Sequence, residues 1–370
     1  MKRSMIKELQ MNRFAMLLAG IALVVGAPAA VQAGITVTSK GPMAQLNTAG
    51  LPGTHIRDLS TIWNASNGLE GTMFFCQSAT TPLSIMRATT TDGGLTWTAG
   101  VDTALANPST ASGDERNPVV RDFARNGGLT GFFGTRQGVY SDYNNVLFRA
   151  ASANNGVSWT GEALVSFGTG AFPGHTGLNG FIEVFKTSTG ILRGYVALNN
   201  LNDSPSSATH RVESSNGGAT WTDMGSIAIP GPGDANNVVG ANGPVFKFTD
   251  VESDQSKMGW FLYGEGTGNR GVNLLISSDE GLSWALGGFS FLDSALRSGD
   301  ARFISDSEVR LFYYRNTGTI PSDRQLWYED FRLSGMSSIQ PNNLYVPEPA
   351  TLVLLAAGGV GMLLRRKRNK

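Results

Sequence analysis

The chain has 370 residues, of which 47 are glycine, 29 are basic, 29 are acidic and only one is cysteine. Balanced charge with no basic stripe argues against a nucleic-acid partner, and a lone Cys76 excludes a disulfide scaffold and is predicted to be a buried, inert residue. Abundant glycine with few lysines and glutamates favours turn-dense β structure over helices.

The N-terminal segment is predicted to be a signal peptide, residues 1–33. A basic start with Lys2 and Arg3 precedes an apolar run, and Val31 and Ala33 are the small residues that a signal peptidase reads. We expect the mature chain to begin at Gly34. A membrane anchor is the alternative, although the run is short for a span of about 20 residues.

One octet recurs four times along the mature chain. Its copies are TTDGGLTW (90–97), SANNGVSW (152–159), SSNGGATW (214–221) and SSDEGLSW (277–284). The closing tryptophans are Trp97, Trp159, Trp221 and Trp284, so the steps are 62, 62 and 63 residues. This regular period predicts an array of similar structural units.

Each octet closes a unit that begins with a predicted β-hairpin. In the first unit the hairpin reads LSTIW-NASNG-LEGTMFFC, and a short β-prone run, LSIMRA, leads into the octet. A fifth hairpin, ARFI-SDSE-VRLFYY, is followed by the strand RQLWYEDF without an octet. Four strands repeating about every 60 residues indicate a β-propeller.

The mature length sets the number of blades. Residues 35–345, 311 in all, divided by 62 give about five units. The segment ITVTSK (35–40) precedes the first unit and has no hairpin of its own, so we predict that it closes the ring as a strand of the last blade. The predicted fold is therefore an all-β propeller of five four-stranded blades over residues 34–345.

The octet resembles the Asp-box, or BNR repeat, of sialidases. The resemblance implies a turn between the third and fourth strands of a blade, with Gly94, Gly156, Gly218 and Gly281 at positive φ and the tryptophans packed inward. It also implies a structural role at the periphery, away from any active site. Asn154 and Asn216 interrupt a charged ring, so no calcium, other metal or cofactor is predicted.

The beginnings of the first strands concentrate the ionisable groups. Propellers bind ligands where these strands begin, around the central channel. The candidate carboxylates are Asp58, Asp114 and Glu183, which come from three different blades and could converge across the channel. Glycoside hydrolysis needs two carboxyl groups that flank the scissile bond. The candidate substrate-binding residues are Arg57, Glu115, Arg116, His175, Arg193, Asp300, Arg302 and Tyr313.

The sialidase resemblance assigns roles to some of these residues. Sialidases use three arginines on the substrate carboxylate, an aspartic acid, and a tyrosine activated by a glutamate, on six blades. By that pattern Glu183 and Arg193 would face each other across one hairpin, Arg116 and Arg302 would complete the arginine triad, and Tyr313 or Tyr314 would supply the phenol. Five-bladed furanosidases are a second resemblance, matched by the order Asp58, Asp114, Glu183.

The C-terminus, residues 346–370, combines Pro-Glu-Pro, an apolar segment from about Ala350 to Leu364 and five basic residues. It resembles the PEP-CTERM sorting signal of Gram-negative bacteria, which implies export, a transient transmembrane anchor and cleavage by an exosortase. A plain single-span anchor is the alternative.

The sequence thus predicts a surface-sorted, sialidase-like propeller that binds or hydrolyses glycan, with exopolysaccharide as a candidate partner. The alternative is a non-catalytic matrix or adhesion module.

Overall fold

The computed structural model describes eleven segments of the chain. These are residues 34–46, 57–77, 84–105, 115–136, 145–173, 177–199, 208–230, 243–265, 270–293, 295–316 and 324–345. All regular elements within them are β-strands. None of these residues forms a helix that could cross a membrane, and the apolar segment at 350–364 lies outside them.

The first strands of the chain and the first two blades follow the predicted order. The chain opens with β1 (Thr36–Ser39) and β2 (Ala44–Gln45). Blade 1 contains β3 (Arg57–Asn64), β4 (Gly71–Gln77), β5 (Ser84–Thr90) and β6 (Val101–Asp102). Blade 2 contains β7 (Glu115–Arg121), β8 (Leu129–Arg136), β9 (Asn145–Ser152) and β10 (Thr160–Leu164).

The remaining three blades repeat this plan. Blade 3 contains β11 (Ser166–Phe167), β12 (Gly177–Lys186), β13 (Leu192–Asn199), β14 (Ala208–Ser214) and β15 (Thr220–Ser226). Blade 4 contains β16 (Val245–Asp250), β17 (Gln255–Glu265), β18 (Arg270–Ser277) and β19 (Ala285–Leu292). Blade 5 contains β20 (Leu296–Ser305), β21 (Glu308–Asn316) and β22 (Arg324–Ser334), joined by β1 and β2.

The five-bladed propeller is confirmed, and so is its closure by the N-terminal strand. β1 pairs antiparallel with β22, with Thr36 opposite Ser334 and Ser39 opposite Phe331. The first segment of the mature chain therefore supplies the outer strand of the last blade, which ties the two ends of the ring together.

The antiparallel order gives the ring two faces. The front face is where the innermost strands β3, β7, β12, β16 and β20 begin. The back face is where these strands end, and it also carries the octet turns, because the turns after the first and third strands of an antiparallel sheet lie at the same end.

The octet turns are built as their residue types require. In the first octet, Asp92 Oδ1 accepts the backbone N–H groups of Leu95 and Thr96, each at 3.0 Å. Gly94 has φ 85°, and its three counterparts lie between 74° and 85°, as predicted. A Cβ on Gly94 would lie 2.5 Å from the Phe312 ring of blade 5, so the glycine also permits close contact between blades.

A C-terminal arm, Met336–Tyr345, was not predicted. Its two strands are β23 (Met336–Pro341) and β24 (Leu344–Tyr345). β23 pairs antiparallel with β16 on the channel side of blade 4, and β24 pairs parallel with β3 on the channel side of blade 1. The arm therefore rises into the channel from the back face, turns at Asn342–Asn343, and returns to the back face.

Candidate functional site

A buried ionic cluster of Glu183, Arg121 and Asp300 occupies the central channel. Arg121, at the end of β7, donates from Nε to Glu183 Oε1 at 3.1 Å and from Nη2 to Glu183 Oε2 at 2.5 Å. Arg121 Nη1 also donates to Ser60 Oγ at 3.0 Å. These contacts join blades 1, 2 and 3, and all three charged side chains are less than 2% exposed.

Asp300, on β20, is held by backbone donors. Its Oδ2 accepts the N–H of Thr61 at 2.6 Å, and its Oδ1 accepts the N–H of Ala301 at 2.8 Å. Burial raises the pKa of Asp300 to about 7; Arg121 and Thr61 oppose this rise, and the charge of Glu183 adds to it. Near neutral pH the Asp300 carboxyl is therefore about half-protonated.

Burial also raises the pKa of Glu183, and Arg121 opposes that rise. The donors to Glu183 Oε1 include the backbone N–H of Val184 at 2.8 Å. A bidentate arginine and a backbone donor together provide hydrogen bonds to both oxygens of the buried Glu183 side chain.

The C-terminal arm reaches this cluster through two asparagines. Asn342 Nδ2 donates to Glu183 Oε1 at 3.2 Å, and Asn343 Nδ2 donates to the carbonyl of Ala301 at 2.7 Å and lies 3.4 Å from Asp300 Oδ1. The backbone N–H of Trp63 donates to the Asn343 carbonyl at 2.8 Å. The turn of the arm thus caps the cluster from the back face.

This arrangement differs from an open pair of catalytic carboxylates. Glycoside hydrolysis needs two carboxyl groups that face a sugar, with one of them poised to donate a proton. Glu183 is instead fully buried and bound to Arg121, and Asp300 is fully buried under backbone donors. In this conformation the cluster joins blades and does not present carboxylates to solvent.

Asp58 lies on the front half of β3 in a strained conformation. Its φ is 49°, in the left-handed region, at an irregularity in the pairing of β3 with β4. The side chain is half-buried, and Cys76 Sγ lies 3.6 Å from its Oδ2. Asn117 occupies the corresponding place in blade 2, with φ 48°.

The remaining front-face candidates are only partly described. Arg57, Glu115 and Arg116 are placed as the first residues of β3 and β7, without their side chains. Asp114 and His175 lie outside the described residues. Across the described segments, no three histidine, cysteine, aspartate or glutamate side chains are grouped as metal ligands would be.

Arg193 does not face Glu183, contrary to prediction. Glu183 lies opposite Tyr195, and Arg193 lies opposite Phe185, two places nearer the back face. Arg193 binds Glu213 Oε1 through Nε at 2.8 Å and the carbonyl of Glu280 through Nη1 at 2.5 Å. Arg121, which sequence reasoning missed, is the arginine that binds Glu183.

Arg302 also points to an octet and not to the cluster. Its Nε donates to the carbonyl of Gly68 at 2.6 Å and its Nη1 to the carbonyl of Gly93 at 3.2 Å. The guanidinium lies over the Trp63 ring, 5.4 Å from the centroid. This position makes Arg302 a link between blades 5 and 1.

These arginines belong to a pattern that recurs around the ring. The carbonyl at the fourth position of every octet accepts from an arginine of the preceding blade. The four links are Arg302 and Arg310 to Gly93, Arg87 to Asn155, Arg149 to Gly217, and Arg193 to Glu280. The octet turns therefore accept the arginine hydrogen bonds that link neighbouring blades.

Tyr313 is a core residue of blade 5. It is 1% exposed, and its hydroxyl oxygen is buried with no hydrogen-bond partner among the residues that the structure describes. Burial raises the pKa of the phenol, and the nearby charge of Glu329 adds to the rise. A raised pKa is the opposite of what an activated phenolate nucleophile requires.

Comparison with known proteins identifies the C-terminal signal and the fold. Residues 346–368 match the PEP-CTERM protein-sorting motif, which indicates export, surface sorting and processing by an exosortase. No curated protein sequence gives a significant match.

Solved structures share the fold at low sequence identity. They include a protein of unknown function from Dyadobacter fermentans (12% identity, TM-score 0.54, covering 81% of this chain and 100% of the other). They also include Zg3597, a family 117 glycoside hydrolase of Zobellia galactanivorans (12% identity, TM-score 0.53, covering 81% of this chain and 91% of the other).

A third structure is the GH62 α-L-arabinofuranosidase catalytic domain of Coprinopsis cinerea (14% identity, TM-score 0.51, covering 84% of this chain and 99% of the other). At these identities the likeness shows the fold alone. The chain is therefore a five-bladed β-propeller that carries a PEP-CTERM sorting motif at its C-terminus.

Proposed function

We propose that this protein is an exported, surface-sorted propeller that binds glycan at the front face of its channel. The sorting motif supports export to the surface. Glycan as the ligand class is supported by the charged residues at the starts of the first strands and by a fold shared with glycoside hydrolases.

The contact between the C-terminal arm and the central cluster favours binding over hydrolysis. Asn342 and Asn343 close the channel behind Glu183 and Asp300, and Arg121 neutralises Glu183. A ligand approaching from the front face would meet Asp58 and the starts of β3 and β7 before it could reach these buried groups.

A glycosidase is the second candidate, with Asp58 and Asp114 as its carboxyl pair. The observation that favours it is the left-handed backbone of Asp58, since strained residues cluster at functional sites.

Both candidates are tested by incubating the purified protein with sialosides, arabinans and the exopolysaccharide of the host. We expect retention on at least one polysaccharide without release of sugar, and a loss of affinity on the order of tenfold in Asp58→Asn.

Asp254→Asn is the matched control, because Asp254 also has a left-handed backbone, φ 53°, but lies in a back-face turn. Sugar release that Asp58→Asn abolishes would support the glycosidase. Absence of both binding and release would reject both candidates.

A further inference from the structure

A second cleft lies on the back face, separate from the proposed front-face site. Its volume is about 230 Å³, and it opens where blades 2, 3 and 4 meet beside the C-terminal arm. Pockets for drug-sized ligands measure roughly 300–1,000 Å³. This cleft therefore suits a smaller ligand, about the size of one sugar ring.

The charge around the cleft is predominantly positive. Lys186, Lys247 and Arg125 line it, and Asp122 is the acidic side chain among the lining residues. Asp122 directs its carboxylate to its own turn, where Oδ1 and Oδ2 accept the backbone N–H groups of Asn126 at 3.2 Å and Gly127 at 2.8 Å. Its charge also acts on Arg125, which it offsets, and the two lysines leave the lining net positive.

The two lysines remain available to an anion. Lys247 Nζ lies 3.6 Å from Glu280 Oε1 in a pair that is more than one-third exposed, and such pairs are weak. Lys186 is exposed and has no ion pair with a described residue. Two ammonium groups beside one cleft favour a carboxylate or another small anion.

The rest of the lining suits a polar ring. Gln340 lines the cleft with an exposed side chain, whose amide can exchange hydrogen bonds with a ligand hydroxyl. Phe123, partly exposed, gives an apolar wall for the C–H face of a sugar. Arg125 Nη2 donates to the Pro341 carbonyl at 2.7 Å and fixes the arm that forms one side.

We propose that this cleft binds one uronate residue, a sugar ring that carries a carboxylate, as found in acidic polysaccharides. The carboxylate faces Lys186 and Lys247, the hydroxyls face Gln340 and the ring packs on Phe123. This site is independent of the front-face site, and its occupancy does not require glycan binding there.

The test titrates the purified full-length protein with D-glucuronate, D-glucose and inorganic phosphate, followed by calorimetry. We expect glucuronate to bind more tightly than either comparison ligand. The double variant Lys186→Gln/Lys247→Gln should weaken glucuronate binding by on the order of tenfold, because it removes charge-assisted contacts.

Lys40→Gln is the matched control, because Lys40 is a similarly exposed lysine that pairs with Glu308 on blade 5. It should leave glucuronate affinity unchanged. Glucuronate affinity that survives in the double variant would overturn the proposal, as would phosphate or glucose binding equal to that of glucuronate. Asp58→Asn separates the two sites: the cleft should keep its affinity in that variant.

Discussion

The side-chain amide of Asn342 lies 3.2 Å from Glu183 Oε1, although 159 residues separate them in the chain. Asn343 makes the corresponding contact with the Asp300 side of the cluster. Through these two residues the segment that directly precedes the sorting motif becomes part of the centre of the ring. The arm also satisfies the channel-side backbone of β3 and β16, which would otherwise be exposed edges.

Removal of this arm should destabilise the propeller. A chain ending at Gly335 loses the asparagine contacts and the pairing with β3 and β16, and each lost hydrogen bond contributes about 1 kcal/mol. A chain ending at Tyr345 keeps the arm and lacks only the sorting signal. Thermal unfolding of the two should show a lower Tm for the chain ending at Gly335. Equal Tm values would show that the arm is dispensable.

Glu183→Gln should act mainly on stability. The substitution leaves the buried charge of Arg121 without its partner, which costs about 3–5 kcal/mol. Glu213→Gln is the control, since Glu213 pairs with Arg193 at a more exposed position and should cost about 1 kcal/mol or less. Urea unfolding measures both, and similar losses in the two variants would contradict a structural role for the Glu183–Arg121 pair.

Asp300 should make the protein less stable as the pH rises from about 4 to about 7. Its pKa is about 7 in the folded chain against 3.8 for the ordinary group, so the folded state binds the extra proton in this interval. The full difference corresponds to on the order of 4 kcal/mol. Asp300→Asn should remove this slope, because the amide does not titrate.

Denaturant midpoints at pH 5 and pH 8 check this prediction. The histidines also titrate in this range, but they are present in both proteins. The difference in pH dependence of stability between the original chain and Asp300→Asn therefore reports the contribution of the Asp300 carboxyl. Parallel profiles for the two proteins would show that Asp300 keeps its ordinary pKa in the fold.

The octet period was enough to predict the blades, because each turn is specified by residues within eight positions. Asp92 and Gly94 act on their own turn, and Trp97 packs beside it. The closure by Thr36–Ser39 followed from chain length and from the missing strand of the last blade. The residues of each turn and the length of the chain were therefore enough to predict the five-bladed ring.

The central cluster and the arm could not be predicted in the same way. Their contacts join residues of different blades, such as Arg121 with Glu183 and Asn343 with Asp300, and nothing local specifies these pairs. One signal was present: Arg121 and Glu183 each interrupt an apolar strand, PVVRDF and FIEVF. Charged residues in such strands need a buried partner, so each indicates that a partner exists without saying which residue it is.

The arginine links to the octets give a fourth prediction. Arg193→Lys should lose the simultaneous contacts to Glu213 and to the Glu280 carbonyl, because an ammonium cannot reproduce the planar guanidinium geometry. We expect a loss of about 1–3 kcal/mol. Arg211→Lys should cost less, since its contact to the Leu282 carbonyl is 3.4 Å long. Urea unfolding of both variants measures the difference, and a reversed order would contradict it.

The third position of the octet is aspartate in some copies and asparagine in others. This difference predicts that the stability of the first octet, which carries Asp92, depends on acid pH. Partial burial raises the pKa of Asp92, but hydrogen bonds from Thr96, Thr90 and Leu95 outweigh burial and lower it to about 2. The stability that this ionised carboxylate contributes is present above pH 4 and is lost as the pH falls toward 2. Asn154 holds the second octet with the same backbone bond, Ser158 N–H to Oδ1 at 2.9 Å, and no charge.

Asp92→Asn should therefore fold with a cost of about 1 kcal/mol at pH 7 and should lose less stability than the original chain between pH 4 and pH 2. Asn154→Asp should have the reverse effect, adding an acid-sensitive carboxylate to the second octet. Thermal unfolding at pH 4, 3 and 2 compares the three proteins. If Asp92→Asn follows the acid profile of the original chain, the octet aspartate contributes through its geometry alone and its charge has no part in stability.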